Sequence, residues 1–167
     1  DRIEDIGIHW PCPSSDHPGT PILHTAQFTR GKGLFHGIDH VPPAEVPDEA
    51  YPWVLTTGRV LYHYHTGTMT MKTEGLNRLS PECFVEISAN DAAGLGLSDG
   101  AMVDVSSRRG RISAKLEISD KAVDGTIFIP FHFAEAAANE LTNAKLDPTS
   151  KIPELKVCAI NIAPANA

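Results

Sequence analysis

From Trp53 onward the chain breaks into short runs of β-forming residues separated by turn signals. Trp53-Val54-Leu55-Thr56-Thr57 runs into Gly58, which reads as a strand feeding a turn. Cys83-Phe84-Val85-Glu86-Ile87 is a second strand, and Asn90-Asp91-Ala92-Ala93 behind it has the capping and small residues that start a short helix. Leu97-Ser98-Asp99-Gly100 turns the chain. Alternation is cleanest next: Val103 and Val105 alternate with Asp104 and Ser106. After Arg108-Arg109-Gly110, residues Ile112, Ala114, Leu116 and Ile118 alternate with polar neighbours. That period of two predicts a β-hairpin with one buried face. Thr126 to Phe133 is apolar on both faces and reads as an interior strand, Glu135 to Leu141 as a short helix, and Lys156 to Ile162 as a closing strand. Many short strands with two small helices predict a mainly β fold, a closed β-barrel.

The first 52 residues follow another rule. Pro11, Pro13, Pro18, Pro21, Pro42, Pro43, Pro47 and Pro52, with glycines at 7, 19, 31, 33 and 37, interrupt any long helix or central strand. Trp10, Phe28, Leu34 and Phe35 lie among them as apolar residues in need of a surface. Residues 1–52 are therefore expected to form an extended, partner-dependent connecting segment, and residues 53–167 the barrel domain.

Composition narrows the function classes. A length of 167 residues suits one globular unit with a real core. No apolar run approaches the roughly 18 residues needed to cross a bilayer, so no direct membrane insertion is expected. A net charge of −7 without a block of Lys and Arg argues against nucleic-acid partners. Such a protein can still hold an anion, but only with local backbone N–H groups, Arg and Lys. Cys12, Cys83 and Cys158 are widely spaced and odd in number, which signals no disulfide framework, zinc site or iron–sulfur site. No charged-then-apolar leader opens the chain, and Asp1 is not an initiator residue, so the sequence is expected to begin inside a longer protein. A cytoplasmic setting is the expectation, with the periplasm as alternative.

Donors are densest between Leu55 and Thr70. A phosphate or pyrophosphate needs the close backbone approach that Gly allows, the hydroxyl donors of Thr and a forked guanidinium. Thr57, Gly58, Arg59, Thr66 and Thr70 carry that chemistry. On a strand, His63 and His65 would share one face and could meet one ligand. A surface strand with a hydrogen-bonded His pair accounts for the same residues, and both readings stand. No nearby Cys, Asp or Glu completes a zinc ligand set around these histidines, so no metal site is assigned. A second polar group follows the apolar strand near 130, where His132, Asn139 and Lys156 suit an amide-rich ring system and a phosphate. Helix capping explains an Asn and a Thr there equally well. Cys12 has no base beside it, and neither a G-x-G-x-x-G nor a P-loop is present, so no catalytic residue is assigned.

Together, Leu55-Thr56-Thr57-Gly58-Arg59, His63 to Thr70, Phe84-Val85-Glu86-Ile87-Ser88, Asp91-Ala92, Leu97-Ser98-Asp99-Gly100 and Asn139-Glu140-Leu141-Thr142 resemble the molybdopterin dinucleotide-binding domain of the dimethyl sulfoxide reductase superfamily. Trp10-Pro11-Cys12-Pro13, His17-Pro18-Gly19-Thr20-Pro21 and Arg30-Gly31-Lys32-Gly33 extend the likeness toward the large, alpha subunits of formate dehydrogenases. The resemblance implies a six-stranded double-psi β-barrel closing over bis(molybdopterin guanine dinucleotide) carrying molybdenum or tungsten. By the same resemblance Thr57, Gly58, Arg59, His63, His65, Thr66 and Thr70 line the cofactor, and His132, Asn139 and Lys156 complete the other wall. The family's metal ligand, catalytic His and Arg and iron–sulfur cysteines belong to other domains. The isolated fragment is thus expected to be inactive, and its partners to be the remaining domains of the same catalytic subunit and the electron-transfer subunits of its complex. The implied parent reaction is two-electron oxidation of formate to carbon dioxide. The alternatives are another oxidoreductase of the superfamily, such as a nitrate reductase, and a non-enzymatic double-psi barrel that docks proteins.

Overall fold

A computed structural model of the chain describes Glu4 and residues 7–165. Six strands, β1 (Trp53–Gly58), β2 (Phe84–Ile87), β3 (Met102–Ser106), β4 (Arg111–Ile118), β5 (Thr126–Pro130) and β6 (Cys158–Pro164), close into one barrel in the order β1-β5-β2-β4-β3-β6. This is a double-psi β-barrel, as the resemblance implied. Strands β1 and β5 run parallel, as do β2 and β4, and the other neighbours are antiparallel. Closure leaves no sheet edge to be capped.

The alternation read from the sequence is the alternation of burial. Val103 and Val105 on β3 and Ile112, Ala114 and Leu116 on β4 point inward, in the register Val103↔Ala114 and Val105↔Ile112. Leu55, Val85, Ile87, Ile127, Ile129, Ile160 and Ile162 fill the rest of the interior. Each fully buried aliphatic side chain of this kind contributes about 1.5–3 kcal/mol. The short helix α2 (Ala89–Gly94) begins where Ser88 accepts a hydrogen bond from the Asp91 amide.

Four features depart from the expectation. No strand covers Arg59 to Thr70: β1 ends at Gly58, and the chain then runs through turns in which His65 and Gly67 have φ of 47° and 72°. Left-handed backbone cannot continue a strand. A 3-10 turn at Thr70–Lys72 and a helix, α1 (Glu74–Leu79), follow; the sequence reading placed no helix there. The apolar run after Thr126 leaves the sheet at Pro130. The helix expected over Glu135 to Leu141 is instead two 3-10 turns, Ala134–Ala136 and Ala138–Glu140, separated by Ala137 in an extended conformation (ψ 99°).

The chain divides into two compact units, Asp1–His40 and Val41–Ala167. Among the described residues of the first unit there is no helix, and the one β-bridge joins Phe28 to Gly31. Thr20 folds its segment back by donating its amide to the His9 carbonyl (3.0 Å) and its hydroxyl to Pro11 (2.6 Å). Trp10, Leu34, Phe35 and Ile38 are between 81 and 97% exposed. Residues 41–52 group with the barrel, and Glu45 shows why. Its carboxylate receives Arg108 (2.6 Å), Arg109 (2.7 Å) and the Ala159 amide (3.2 Å), tying the segment to the β3–β4 turn and to β6. Burial pushes the Glu45 carboxyl up, but the hydrogen bonds from Arg109, Arg108 and Ala159 outweigh it and hold the group below its ordinary 4.5. Its stabilisation is therefore complete above that value and is lost as pH falls through the lowered one. In acid unfolding, Glu45→Gln should flatten this part of the pH dependence and cost about 1–2 kcal/mol at neutral pH; an unchanged acid limb would show that the clamp does not stabilise the fold.

Candidate functional site

The barrel's strand order brings three chain segments together at one end. Parallel pairing of β1 with β5 runs to Gly58↔Pro130, so Arg59 and Phe131 leave the sheet side by side, and the Phe131 amide donates to the Gly58 carbonyl (3.2 Å). On the other flank β6 runs antiparallel to β1 with Leu55 opposite Cys158, which places Leu155 and Lys156 beside Thr57. The Thr57 hydroxyl donates to the Leu155 carbonyl (2.8 Å), and the Lys156 ammonium donates to the Thr57 carbonyl.

A cavity of about 710 Å³ opens over this junction, lined by Thr57, Arg59, His65, Thr66, Phe131, Asn139, Leu155 and Lys156. Six of the ten candidate residues thus share one concavity: Thr57, Arg59, His65, Thr66, Asn139 and Lys156. Thr66 Oγ1 pairs with Thr68 Oγ1 (3.0 Å), and the Lys156 ammonium stands 5.9 Å from the Phe131 ring centroid. Arg59 makes no ion pair among the described residues, and no carboxylate lines the cavity.

Gly58, His63, Thr70 and His132 lie outside the lining. A Cβ on Gly58 would meet Phe128 Cε2 at 2.5 Å, so the glycine is required by packing where the strand ends. His63 and His65 do not share a face. His63 is 4% exposed, donates from Nε2 to the Ser80 carbonyl (2.6 Å), meets the Thr70 hydroxyl at Nδ1 (3.1 Å) and sets its edge against Phe133; His65 is exposed at the cavity. Thr70 also accepts the Tyr64 amide (3.2 Å), so His63 and Thr70 shape the loop from behind. His132, 1% exposed, accepts the Val60 amide at Nε2 (2.9 Å) and hydrogen-bonds the His65 carbonyl through Nδ1. Burial lowers its pKa from the ordinary 6.5; the bond to His65 acts the other way, and His63, Arg59 and His65 reinforce the lowering.

Sequence reasoning missed the apolar walls. Phe131 and Leu155 are neighbours of His132 and Lys156, but an apolar residue among apolar residues gives no local sign that it lines a cavity, although ligand pockets in general are mostly apolar with few polar groups. The two cysteines of the barrel unit do not line the cavity: Cys83 is in the core, its thiol pushed up to about 12, chiefly by burial, and Cys158 is buried beside Leu141. Among the described residues no cluster of His, Cys, Asp and Glu could hold a metal ion, and no helix is long and apolar enough to cross a membrane.

The family model described as "Molydopterin dinucleotide binding domain" matches residues 53–159. The chain belongs to this family. It is 48% identical over 163 residues to the alpha subunit of a formate dehydrogenase from Methanocaldococcus jannaschii, covering 96% of this chain and 24% of that protein. Against the assimilatory nitrate reductase catalytic subunit of Bacillus subtilis it is 42% identical, covering 95% of this chain and 23% of that protein. Among solved structures it resembles acetylene hydratase from Pelobacter acetylenicus with a TM-score of 0.60 at 20% identity, over 69% of this chain and 18% of that one. That last likeness concerns the fold alone. The chain spans about a quarter of the length of the curated relatives it matches.

Within this molybdopterin dinucleotide-binding domain, the Gly58–Phe128 contact tests how tightly β1 is seated beneath the cavity. Gly58→Ala should cost about 1–3 kcal/mol by overpacking, lowering Tm by about 2–4 °C per kcal/mol. Phe128→Leu in the same chain should recover part of the loss. Equal melting of Gly58→Ala and the unsubstituted chain would show that the ring yields freely.

Proposed function

We propose that the cavity at the end of β1 grips the guanine dinucleotide arms of a bis(molybdopterin guanine dinucleotide) cofactor carrying molybdenum or tungsten. One observation carries this reading: two cations, Arg59 and Lys156, face one concavity that contains no carboxylate, in a chain whose net charge is −7. Uncompensated cations converging with hydroxyl and amide donors suit a pyrophosphate. Phe131 and Leu155 supply apolar surface for a ring face, and the exposed amide of Asn139 supplies both donor and acceptor for a base edge. The donor set therefore fits the group. When bound, the cofactor supplies the redox chemistry; the chain's residues bind and orient it. Gly58, His63, Thr70 and His132 serve the same grip by holding the loop and the strand end in place.

The whole subunit is read as a formate dehydrogenase, in which the other domains supply the metal ligand and the iron–sulfur clusters and cover the rest of the cofactor. Three alpha subunits of formate dehydrogenases are 48, 43 and 45% identical to the chain, which favours formate. A nitrate reductase is the second reading, favoured by 42% identity over almost the same span. With the full-length subunit, formate-dependent reduction of an artificial electron carrier is the expected outcome; nitrate-dependent oxidation of the reduced carrier without formate activity would replace formate by nitrate.

Arg59→Ala in the full-length subunit should weaken cofactor retention by about 1.5–3 kcal/mol, the magnitude of a charge-assisted hydrogen bond. Pterin and metal content per subunit after dialysis measures it. Retention equal to that of the unsubstituted subunit would remove Arg59 from the grip.

A further inference from the structure

The Arg59–Thr66 loop carries three of the cavity's polar groups, Arg59, His65 and Thr66, yet no strand or helix contains it. Something else must fix it. His65 also holds a left-handed backbone at φ 47°, a conformation that costs a non-glycine residue about 1 kcal/mol or more and persists only when neighbours enforce it.

The His132 ring touches this loop at both ends. Nε2 lies 2.9 Å from the Val60 nitrogen, whose N–H can only donate, and Nδ1 meets the His65 carbonyl, which can only accept. Those partners dictate a single tautomer: Nδ1 carries the proton and Nε2 is bare. An imidazolium has no bare nitrogen, so it cannot accept from Val60. His63 differs, because its Nδ1 faces a hydroxyl that can reverse its role while Nε2 still donates to Ser80. Of these two rings, the one whose contacts are incompatible with a charged form is His132.

We propose that His132 is a positioning residue, a latch whose neutral imidazole joins the Val60 amide to the His65 carbonyl and so holds the Arg59–Thr66 loop in its binding shape until the ring is protonated. The link from loop shape to cofactor retention rests on the cavity being the cofactor site. Titratable or charged groups facing the ring are Arg59, His63 and His65, with the His63 centroid 6.0 Å away and no carboxylate among them. Burial and these three side chains disfavour a positive charge on the ring and outweigh the bond to the His65 carbonyl, which favours it. Because the folded state prefers the neutral ring, the latch is complete above the ordinary His value of 6.5 and weakens as pH falls below it.

Amide hydrogen exchange on the full-length subunit reads the loop directly, with protection expressed against intrinsic rates and against the β3–β4 hairpin as internal standard. Between about pH 8 and about pH 5.5, Val60 to Thr66 should lose about tenfold in relative protection, the loss of roughly one hydrogen bond. His132→Gln, whose amide can accept from Val60 and donate to His65 without titrating, should hold protection constant over that range. His132→Asn takes its place if the Gln variant does not fold, and the pH response of the unsubstituted subunit stands whatever either variant does. Relative protection independent of pH in the unsubstituted subunit, or a Gln or Asn variant that follows its pH response, would overturn the latch. Pterin release on acidification, absent in the Gln variant, is expected alongside. Loop opening with full pterin content would keep the latch and count instead against the cavity as the cofactor site.

Discussion

The site depends on the double pairing of β1. Because β1 is parallel to β5 and antiparallel to β6, the point where it stops is also where β5 stops and where β6 is about to start. Residues 57–59, 130–132 and 155–156 are far apart in the chain but adjacent in space for that reason alone. Shifting either register by one residue would exchange inward and outward side chains along the strand, taking Leu55, Ile127 and Ile129 out of the core. The hydrophobic effect that packs the barrel thus also fixes which polar residues meet at its end.

Charge is allotted differently at two cavities of the same barrel domain. Arg108 and Arg109 are answered by Glu45 and Asp48, and Arg108 also stacks on the Tyr51 ring at 4.6 Å. A cavity lined by Glu45, Arg108, Arg109 and Lys145 exists there, but its guanidinium groups are already paired with internal carboxylates. Arg59 and Lys156 face a cavity with no such counter-ion. The difference separates an arginine that ties a segment to the fold from one left available to an outside anion.

Strand content was legible because alternation and burial are the same fact in a half-buried sheet, as Val103, Val105, Ile112, Ala114 and Leu116 show. The donor-rich stretch after Gly58 was legible as chemistry but not as shape. Reading it as a strand paired His63 with His65, whereas the turns place one ring in the core and the other at the cavity. Gly67 was the local sign of this: its φ is 72°, and a Cβ there would stand 2.6 Å from Met71 Cε. The role of His132 was not legible at all, since its partners are backbone groups 67 and 72 residues away, and any sequence could supply an N–H and a carbonyl. Long-range hydrogen bonds to the main chain leave no residue-type signature.

The exposure of Arg59 and Lys156 bears on how the grip would work. In open water two unit charges about 4 Å apart attract by only about 1 kcal/mol, against about 4 kcal/mol in the partly shielded setting of a protein surface. A cleft with one wall therefore holds a pyrophosphate weakly, whatever its geometry. Covering the same cations with a second wall would strengthen each contact without moving an atom of this chain. In the proposed subunit, of which this chain is about a quarter by comparison with its relatives, the domain contributes a pre-shaped set of donors, and their strength comes from the domains that exclude water around them. The latch on the loop matters for the same reason: donors that must be ordered at the moment of binding would lose in conformational entropy part of what that exclusion adds.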